Sequence, residues 1–525
     1  MAAELMLAVV GAADVCIKLA NQVFSTYSAY RGAEEAIDKK LVALEALWTK
    51  VERQLRFLQK ISHLLDEELA QCHLKLLQKL TGTLHQVTAK LEIPGFAASS
   101  TRFSDYFRKL KFAFTRNSLD ELMAELQTWC ERFDPTWYLI MLMSDSVLDA
   151  TLRESQQAGI NRSDQNGDAL SNMMALRYTI RDVGNSSDQA RQKVSLTLDA
   201  SALAHGKETP IQFSAAKAVV RGRHNAHLII EPVNLPTDTI LQVKTDVENM
   251  ARKLQQVDPD SFGILRCYGL LKHRNRETGG LAAIDMVYRA PDTTRLVSLR
   301  KLLLDREPVS ASAVVRMAKQ LVRSVSYIHA CDFVHKNIRP DNVLVLPGDA
   351  SLLGTSYLMG FNQFRNANFQ TNLVGDPAWY RNLYRHPQRQ GVFVQERYVM
   401  QHDIYSLGVC LLEIGLWRSF IWYPKDSDGA TPVAAPSFGL SLRDQDFEIT
   451  SCAIPLKDHL VNLAKRELPP RLGDLYTEVV LVCLTCLDPG NEVFGGELDT
   501  KDEDGIVIGV RFIENILARV SEISI

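Results

Sequence analysis

The stretch Phe333-Val-His-Lys-Asn-Ile-Arg-Pro-Asp-Asn-Val-Leu-Val345 sets His335, Asn337, Asp341 and Asn342 just ahead of an apolar run that reads as a strand. Further on, Asp403-Ile-Tyr-Ser-Leu-Gly-Val-Cys-Leu-Leu-Glu413 is an apolar run that opens on one carboxylate and closes on another. His386-Pro387-Gln388 lies between them. The chemistry such a set would serve is phosphoryl transfer, which mainly needs positioning and charge neutralisation. A lysine must hold phosphates, one carboxylate must accept a hydroxyl proton, and another must hold Mg²⁺.

The three patterns, in chain order, resemble the protein kinases: the catalytic loop H-R-D-L-K-P-x-N, A-P-E, and the helix that anchors the loop. The resemblance covers roughly the last 315 residues and implies an α+β two-lobed protein-kinase-like fold over 209–525. Residues of about 209–290 would form the small lobe and about 291–525 the large lobe. Residue by residue, the family's chemistry is depleted. Its catalytic Asp falls on Asn337, and an amide cannot take a proton near neutral pH as a carboxylate can. Its metal-binding Asp-Phe-Gly falls on Gly360-Phe361-Asn362, so glycine stands where a hard cation wants oxygen. Asn342 matches the second metal position. The lysine of V-A-I-K falls on Glu231 in Leu228-Ile-Ile-Glu231, with Glu248 as the glutamate of the following helix, and a carboxylate at Glu231 repels phosphate.

Lys217 and Lys244 are substitute cations at poorer spacing. Gly222 is the only glycine between residues 209 and 235, so no glycine-rich loop cradles phosphates. Fold-holding positions persist. His335 and Phe361 match packing residues, and Asp403 matches the acceptor beneath the loop. Gln388 replaces the A-P-E glutamate, and the arginine that pairs with that glutamate is missing near Asp488-Pro489. No catalytic residue and no metal site is expected. ATP binding without Mg²⁺ stays open, with Asn342 and Lys217 as its contacts.

The elements that must position these residues can be read from hydrophobic spacing. His227–Glu231, Phe262–Leu271 and Leu281–Tyr288 read as strands, Val243–Val257 as a helix, and long helices follow. Strands early and helices late give an α+β domain. Residues 151–208 are polar and read as a linker or brace. Residues 1–150 read as an all-α helical bundle. One stripe runs Leu41, Leu44, Trp48, Val51, Leu55, Leu58, and a second Leu69, Cys72, Leu76, Leu80, Leu84, Val87, Leu91, ended by Pro94-Gly95. A third runs Leu119, Leu122, Leu126, Phe133, with Asn117-Ser118 and Glu121 as a cap.

Asp14–Ala20, the Trp48–Leu58 stripe, Ser118–Leu122 and Phe133-Asp-Pro-Thr-Trp-Tyr-Leu-Ile140 together resemble the HeLo, or prion-inhibition and propagation, domain of filamentous fungi. Joined to a kinase-like domain, this also resembles the mixed-lineage kinase-domain-like pseudokinases. The resemblance implies regulated cell death and a membrane-active first segment, Met1 to Ala20. Its small residues allow close helix approach, while Glu4 and Asp14 oppose burial in lipid.

Other features have plain readings. Cys483 and Cys486 lie in an apolar run without a second pair, so a zinc site is not expected. His224 and His227 read as surface residues, and the acidic run Glu497–Asp504 as a solvated loop. Arg102–Arg116 interleaves five basic residues with five aromatics; it is read as a helix burying its aromatics, with a lipid-headgroup surface as the alternative. The chain has 525 residues with 46% hydrophobic and 23% charged, which excludes a largely disordered chain. A net charge of −3 gives no global pull toward nucleic acid. Nine cysteines point to a reducing cytoplasm rather than a disulfide scaffold. Met1 to Ala20 reads as neither a bilayer span nor a signal peptide, because Glu4, Asp14 and Lys18 interrupt it.

Three functional readings follow. The leading one is a catalytically impaired signalling protein relaying a ligand or partner signal to a helical bundle that self-associates, binds a protein partner or engages membrane. The others are an atypical serine/threonine kinase using Lys217 or Lys244, and a non-enzymatic adaptor.

Overall fold

The structure is a computed structural model that describes residues 2–28, 35–91, 122–124, 126–130, single positions from 133 to 151, 196–199 and 206–523. Within the last range it leaves out 222–225, 236–239, 331–332, 349–352, 362–364, 367–373, 425–430, 449–451, 496–505 and a few single positions. The chain divides into two compact units, 1–174 and 175–525. The basic-aromatic stretch Arg102–Arg116, the cap at Asn117-Ser118 and the acidic run Glu497–Asp504 lie outside the described residues, as do His224 and Asn362.

The first unit is helical: α1 Ala2–Ser28, α2 Glu35–Ile61 and α3 Glu67–Leu91. Asp66 starts α3 by accepting the Leu69 amide at 2.7 Å, and Glu67 and Glu68 favour the same helix end. The 3-4 spacing of apolar residues does what it must: Leu44, Val51, Leu55 and Leu58 of α2 and Leu69, Leu77 and Leu84 of α3 are all buried. Leu122, Leu126, Trp129 and Phe133 join them, with Trp129 stacked on Phe133 at 4.2 Å. Each such side chain is worth roughly 1.5–3 kcal/mol of transfer free energy. Leu7 and Val15 of α1 remain exposed. Among the described residues, no helix is long and apolar enough to cross a membrane.

The second unit is mixed. Strands β1 Lys207–Pro210, β2 Lys217–Arg221, β3 Ala226–Val233, β4 Cys267–Arg274 and β5 Leu281–Arg289 form an antiparallel sheet in the order β1-β2-β3-β5-β4. Helix α4, Ile240–Leu254, packs against β4 and β5. Strand alternation splits the side chains. Val219, Leu228, Ile230, Leu271 and Val287 share one apolar cluster, on which Leu198 packs. Within the segment read as a linker or brace, Thr197 makes an isolated parallel bridge to Leu270 of β4: Leu198 donates to the Leu270 carbonyl at 2.8 Å, and the Leu270 amide donates to Leu196 at 2.7 Å. The strand expected from Phe262 begins at Cys267, because Pro259–Phe262 forms a helical turn closed by Gly263 in the left-handed region.

A small sheet, β6 Val297–Ser298, β8 Val343–Leu346 and β9 Thr355–Leu358, follows, with the short strand β7 Phe333–Val334 before the His335 loop. Around it lie α5 Leu299–Asp305, α6 Ala311–Ala330, α7 Met400–Leu416, α8 Ala453–Glu467 and α9 Pro469–Leu484. Every residue of α7 is buried, its few polar side chains included. Gly408 permits this: a Cβ there would sit 2.7 Å from the Cβ of Cys483 on α9. Cys486, just beyond, donates its thiol to the Gln401 carbonyl at 3.2 Å.

Arg300 on α5 ties distant segments together from a fully buried position. Its guanidinium donates to Glu413 at 3.0 Å, Asp341 at 3.1 Å, Ser419 at 2.7 Å and the Tyr384 hydroxyl. Burial opposes this charge, and Asp341, Tyr384 and Glu413 outweigh it, so Arg300 stays cationic. Removing one partner of a buried pair strands the other. Arg300→Ala is expected to cost about 3–5 kcal/mol in urea unfolding of the full chain; a loss below about 1 kcal/mol would contradict this account.

Candidate functional site

The site is built on Asp403, the fully buried first-turn carboxylate of α7. It accepts the His335 amide at 2.6 Å, the Lys336 amide at 2.9 Å and the Tyr398 hydroxyl at 2.7 Å, with His329 Nε2 at 3.2 Å. Burial pushes this carboxyl up, but the hydrogen bond and charge of His329, with His335 and Tyr398, hold it below the usual range. The two amides it captures belong to a tight turn in which Lys336 adopts φ +64, a conformation rare for a side chain of that size. His335 is buried against Phe361, ring centroids 5.0 Å apart, and Phe361 lies 6.4 Å from Tyr288.

Asn337, Asn342 and Gly360 come together. Asn342 Nδ2 donates to the Asn337 carbonyl at 2.7 Å, and Asn337 Nδ2 reaches the Gly360 carbonyl at 3.3 Å. The Met359 amide donates to the Asn342 carbonyl at 2.7 Å. Gly360 sits at φ +94, and a Cβ there would lie 2.5 Å from the Asn342 side chain. Asn342 thus fills the space a side chain at 360 would need. Asp341 faces away to Arg300, so it is no substitute base in this arrangement.

Glu231 is buried on β3, opposite Met286 on β5, and accepts the Tyr288 hydroxyl at 3.3 Å. Burial and the charge of Glu231 push the Tyr288 phenol well above its ordinary value. Ile229, fully buried, faces Tyr288 across the same strand pair. Lys217 is not brought to this place. It pairs in register with Ile230, so the pleat sends it to the other face, where it meets Glu208 at 3.2 Å with about half its side chain exposed. Lys244 lies 4.0 Å from Glu248 one helical turn on.

The sequence reading missed Lys272. Its Nζ donates to Glu248 at 2.7 Å, so the ammonium facing the α4 glutamate comes from β4 instead of β3. No spacing rule pointed to it, because the contact forms only once α4 packs on the sheet. The arginine sought for Gln388 also has a different solution. The Val399 amide donates to His402 Nδ1 at 2.9 Å, leaving His402 Nε2 to donate to Gln388 Oε1 at 3.3 Å. Lys457 pairs with Asp488 at 2.5 Å, and both act on the nearby His386 imidazole. Among the described residues, no three His, Cys, Asp or Glu side chains assemble as a metal ligand set.

No family model matches the chain. A probable serine/threonine-protein kinase of Dictyostelium discoideum is 25% identical over 118 residues, 22% of this chain and 6% of that protein. A serine/threonine-protein kinase of Schizosaccharomyces pombe is 23% identical over 112 residues, 21% of this chain and 18% of that protein. Cyclin-dependent kinase 4 of Bos taurus is 28% identical over 114 residues, 21% of this chain and 34% of that protein. The chain carries a kinase-like domain. The matches span about a third or less of each of these relatives and about a fifth of this chain.

Two outcomes are expected. Gly360→Asp should destabilise the chain by about 1–3 kcal/mol, measured by denaturant unfolding, because the new side chain must displace Asn342 and sit at positive φ. Stability should also fall with acid. Burial pushes His335 and His386 down to about 4 and His402 to about 3, from 6.5. These rings are neutral when folded and take up protons when unfolded, so their contribution is complete above pH 6.5 and is lost as pH drops toward 4. Urea midpoints at pH 7.5 and 5.0 measure the slope, and His386→Gln should reduce it by about one proton.

Proposed function

We propose that this chain is a catalytically impaired, kinase-like signalling protein. In this reading the kinase-like domain receives a ligand or partner signal, and the helical unit passes it on by self-association, by binding a protein partner or by engaging a membrane. The observation that carries it is the closed set Asn337–Gly360–Asn342. The positions that match the kinase base and metal carboxylate hold an amide and a glycine, and they are spent on each other. Glu231 and Tyr288 support the same reading. Where V-A-I-K has its lysine and its alanine, this chain buries a carboxylate and Ile229, with a tyrosine against them. The residues present do not fit Mg²⁺-ATP held in the family's way, since neither a phosphate-facing ammonium at 231 nor a carboxylate at 360 exists.

The HeLo-like reading of residues 1–150 belongs to this proposal. Its support is the helical character of the unit and the exposed Leu7 and Val15 on α1. A cytoplasmic protein that reaches membrane only on activation accords with it.

One observation favours an active atypical kinase: the Lys272–Glu248 pair supplies an ammonium beside α4. Phosphate transfer from labelled ATP with Mg²⁺ or Mn²⁺ separates the two. The impaired protein should give no turnover above background. Turnover that disappears in both Lys272→Met and Asn342→Ala would replace it with the kinase. Leakage of anionic vesicles by the full chain, lost on Leu7→Glu, tests the membrane arm.

A further inference from the structure

The turn between β1 and β2 leaves the sheet that carries it. The arm is exposed: all four residues of β1, Lys207–Pro210, face solvent, and the Lys217–Glu208 pair at 3.2 Å is about half exposed. The tip is the opposite, with Ile211, Phe213 and Ala216 buried. It is closed by the Ser214 amide on the Ile211 carbonyl at 3.0 Å and by the Ala216 amide on Ser214 Oγ at 3.2 Å. An exposed arm with a buried tip depends on what the tip touches.

The tip touches segments far along the chain. The Phe213 ring lies 4.7 Å from that of Tyr423, beyond the end of α7, and both side chains are buried. Ser298 Oγ donates to the Gln212 carbonyl at 2.6 Å and accepts the Lys301 amide at 3.2 Å, so one hydroxyl starts α5 and holds the tip. Arg300 of the same helix fastens Asp341 of the His335 loop. The tip thus reaches from the five-stranded sheet to the elements around that loop. Phe213 does so at φ +61, a region rare for a side chain of its size. Glycine would hold this conformation freely. Phenylalanine bears a steric cost there, which the seat of its ring on Tyr423 offsets.

We infer that the β1–β2 turn is an autoinhibitory plug. Phe213 fills the recess against Tyr423, the Gln212 carbonyl fastens the turn to Ser298, and local opening of the hairpin arm uncovers both residues while the rest of the sheet stays folded. The hydroxyl–carbonyl bond and the ring pair are each modest, so the seat can open without unfolding the core. While the plug is seated, a ligand or partner that needs the Tyr423 ring or the Ser298 hydroxyl is shut out. The plug is independent of phosphate transfer, since neither an impaired protein nor an active kinase requires it.

The experiment is hydrogen exchange on the full chain, read by mass spectrometry. Amides of residues 207–216, corrected for intrinsic rates, should exchange at least about tenfold faster than those of β5, with no dependence on urea below the unfolding transition. Phe213→Ala should speed them at least about fivefold more and leave β5 and α7 unchanged, the loss expected of one ring pair. The same variant should raise hydroxyl-radical oxidation of Tyr423 several-fold. Leu241→Ala, at an exposed position of α4, should change none of these readings. If Phe213→Ala does not fold, Ser298→Ala carries the same test. Exchange of the turn only in step with global unfolding, or turn exchange and Tyr423 oxidation that the variant leaves unchanged, overturns the proposal.

Discussion

A single buried carboxylate decides the shape of the functional region. Asp403 has no solvent to satisfy it, so its oxygens must be met by protein donors, and they are met by the His335 and Lys336 amides, Tyr398 and His329. The bond also works in the other direction. Two amides in a tight turn would be orphaned inside the protein without it, and Lys336 would have no reason to hold positive φ. Because α7 is buried along its whole length, the carboxylate cannot drift, and the loop inherits the rigidity of the helix. The turn that displays Asn337 and Arg339 is therefore fixed from beneath, whatever those side chains do.

That separation lets the shape outlast the chemistry. Packing residues such as His335 and Phe361 answer to Asp403 and to the core, while Asn337, Gly360 and Asn342 answer to one another. A second anchor, Arg300, fastens Asp341, Glu413 and Tyr384 from the other side. Neither anchor calls on a nucleotide or a metal, so the fold contains its own counter-charges.

The sequence disclosed the parts whose signals are local. Leu41 to Leu58 and Leu69 to Val87 are legible because helical spacing alone dictates a common face, and those side chains are buried. Asp403 is legible because its helix and its loop each carry a recognisable pattern. Lys272 is not, since its meeting with Glu248 depends on how α4 lies over the sheet. Lys217 misled for a related reason: a count of residues brings it near Glu231, but a one-residue offset in register sends it through the pleat to the opposite face. Arg300 was passed over because its partners are 41, 84 and 113 residues away. The bridge from Thr197 to Leu270 was hidden in polar surroundings, because backbone pairing needs no side-chain pattern.

The amide substitutions follow one physical logic. Asparagine and glutamine keep the outline of aspartate and glutamate but exchange a charge for a donor, and a buried donor must find an acceptor. At Asn337 the acceptor is the Gly360 carbonyl. At Gln388 the retained carbonyl oxygen accepts from His402, a ring kept neutral by burial. Each exchange removes a need for a cation and supplies a neutral hydrogen bond in its place.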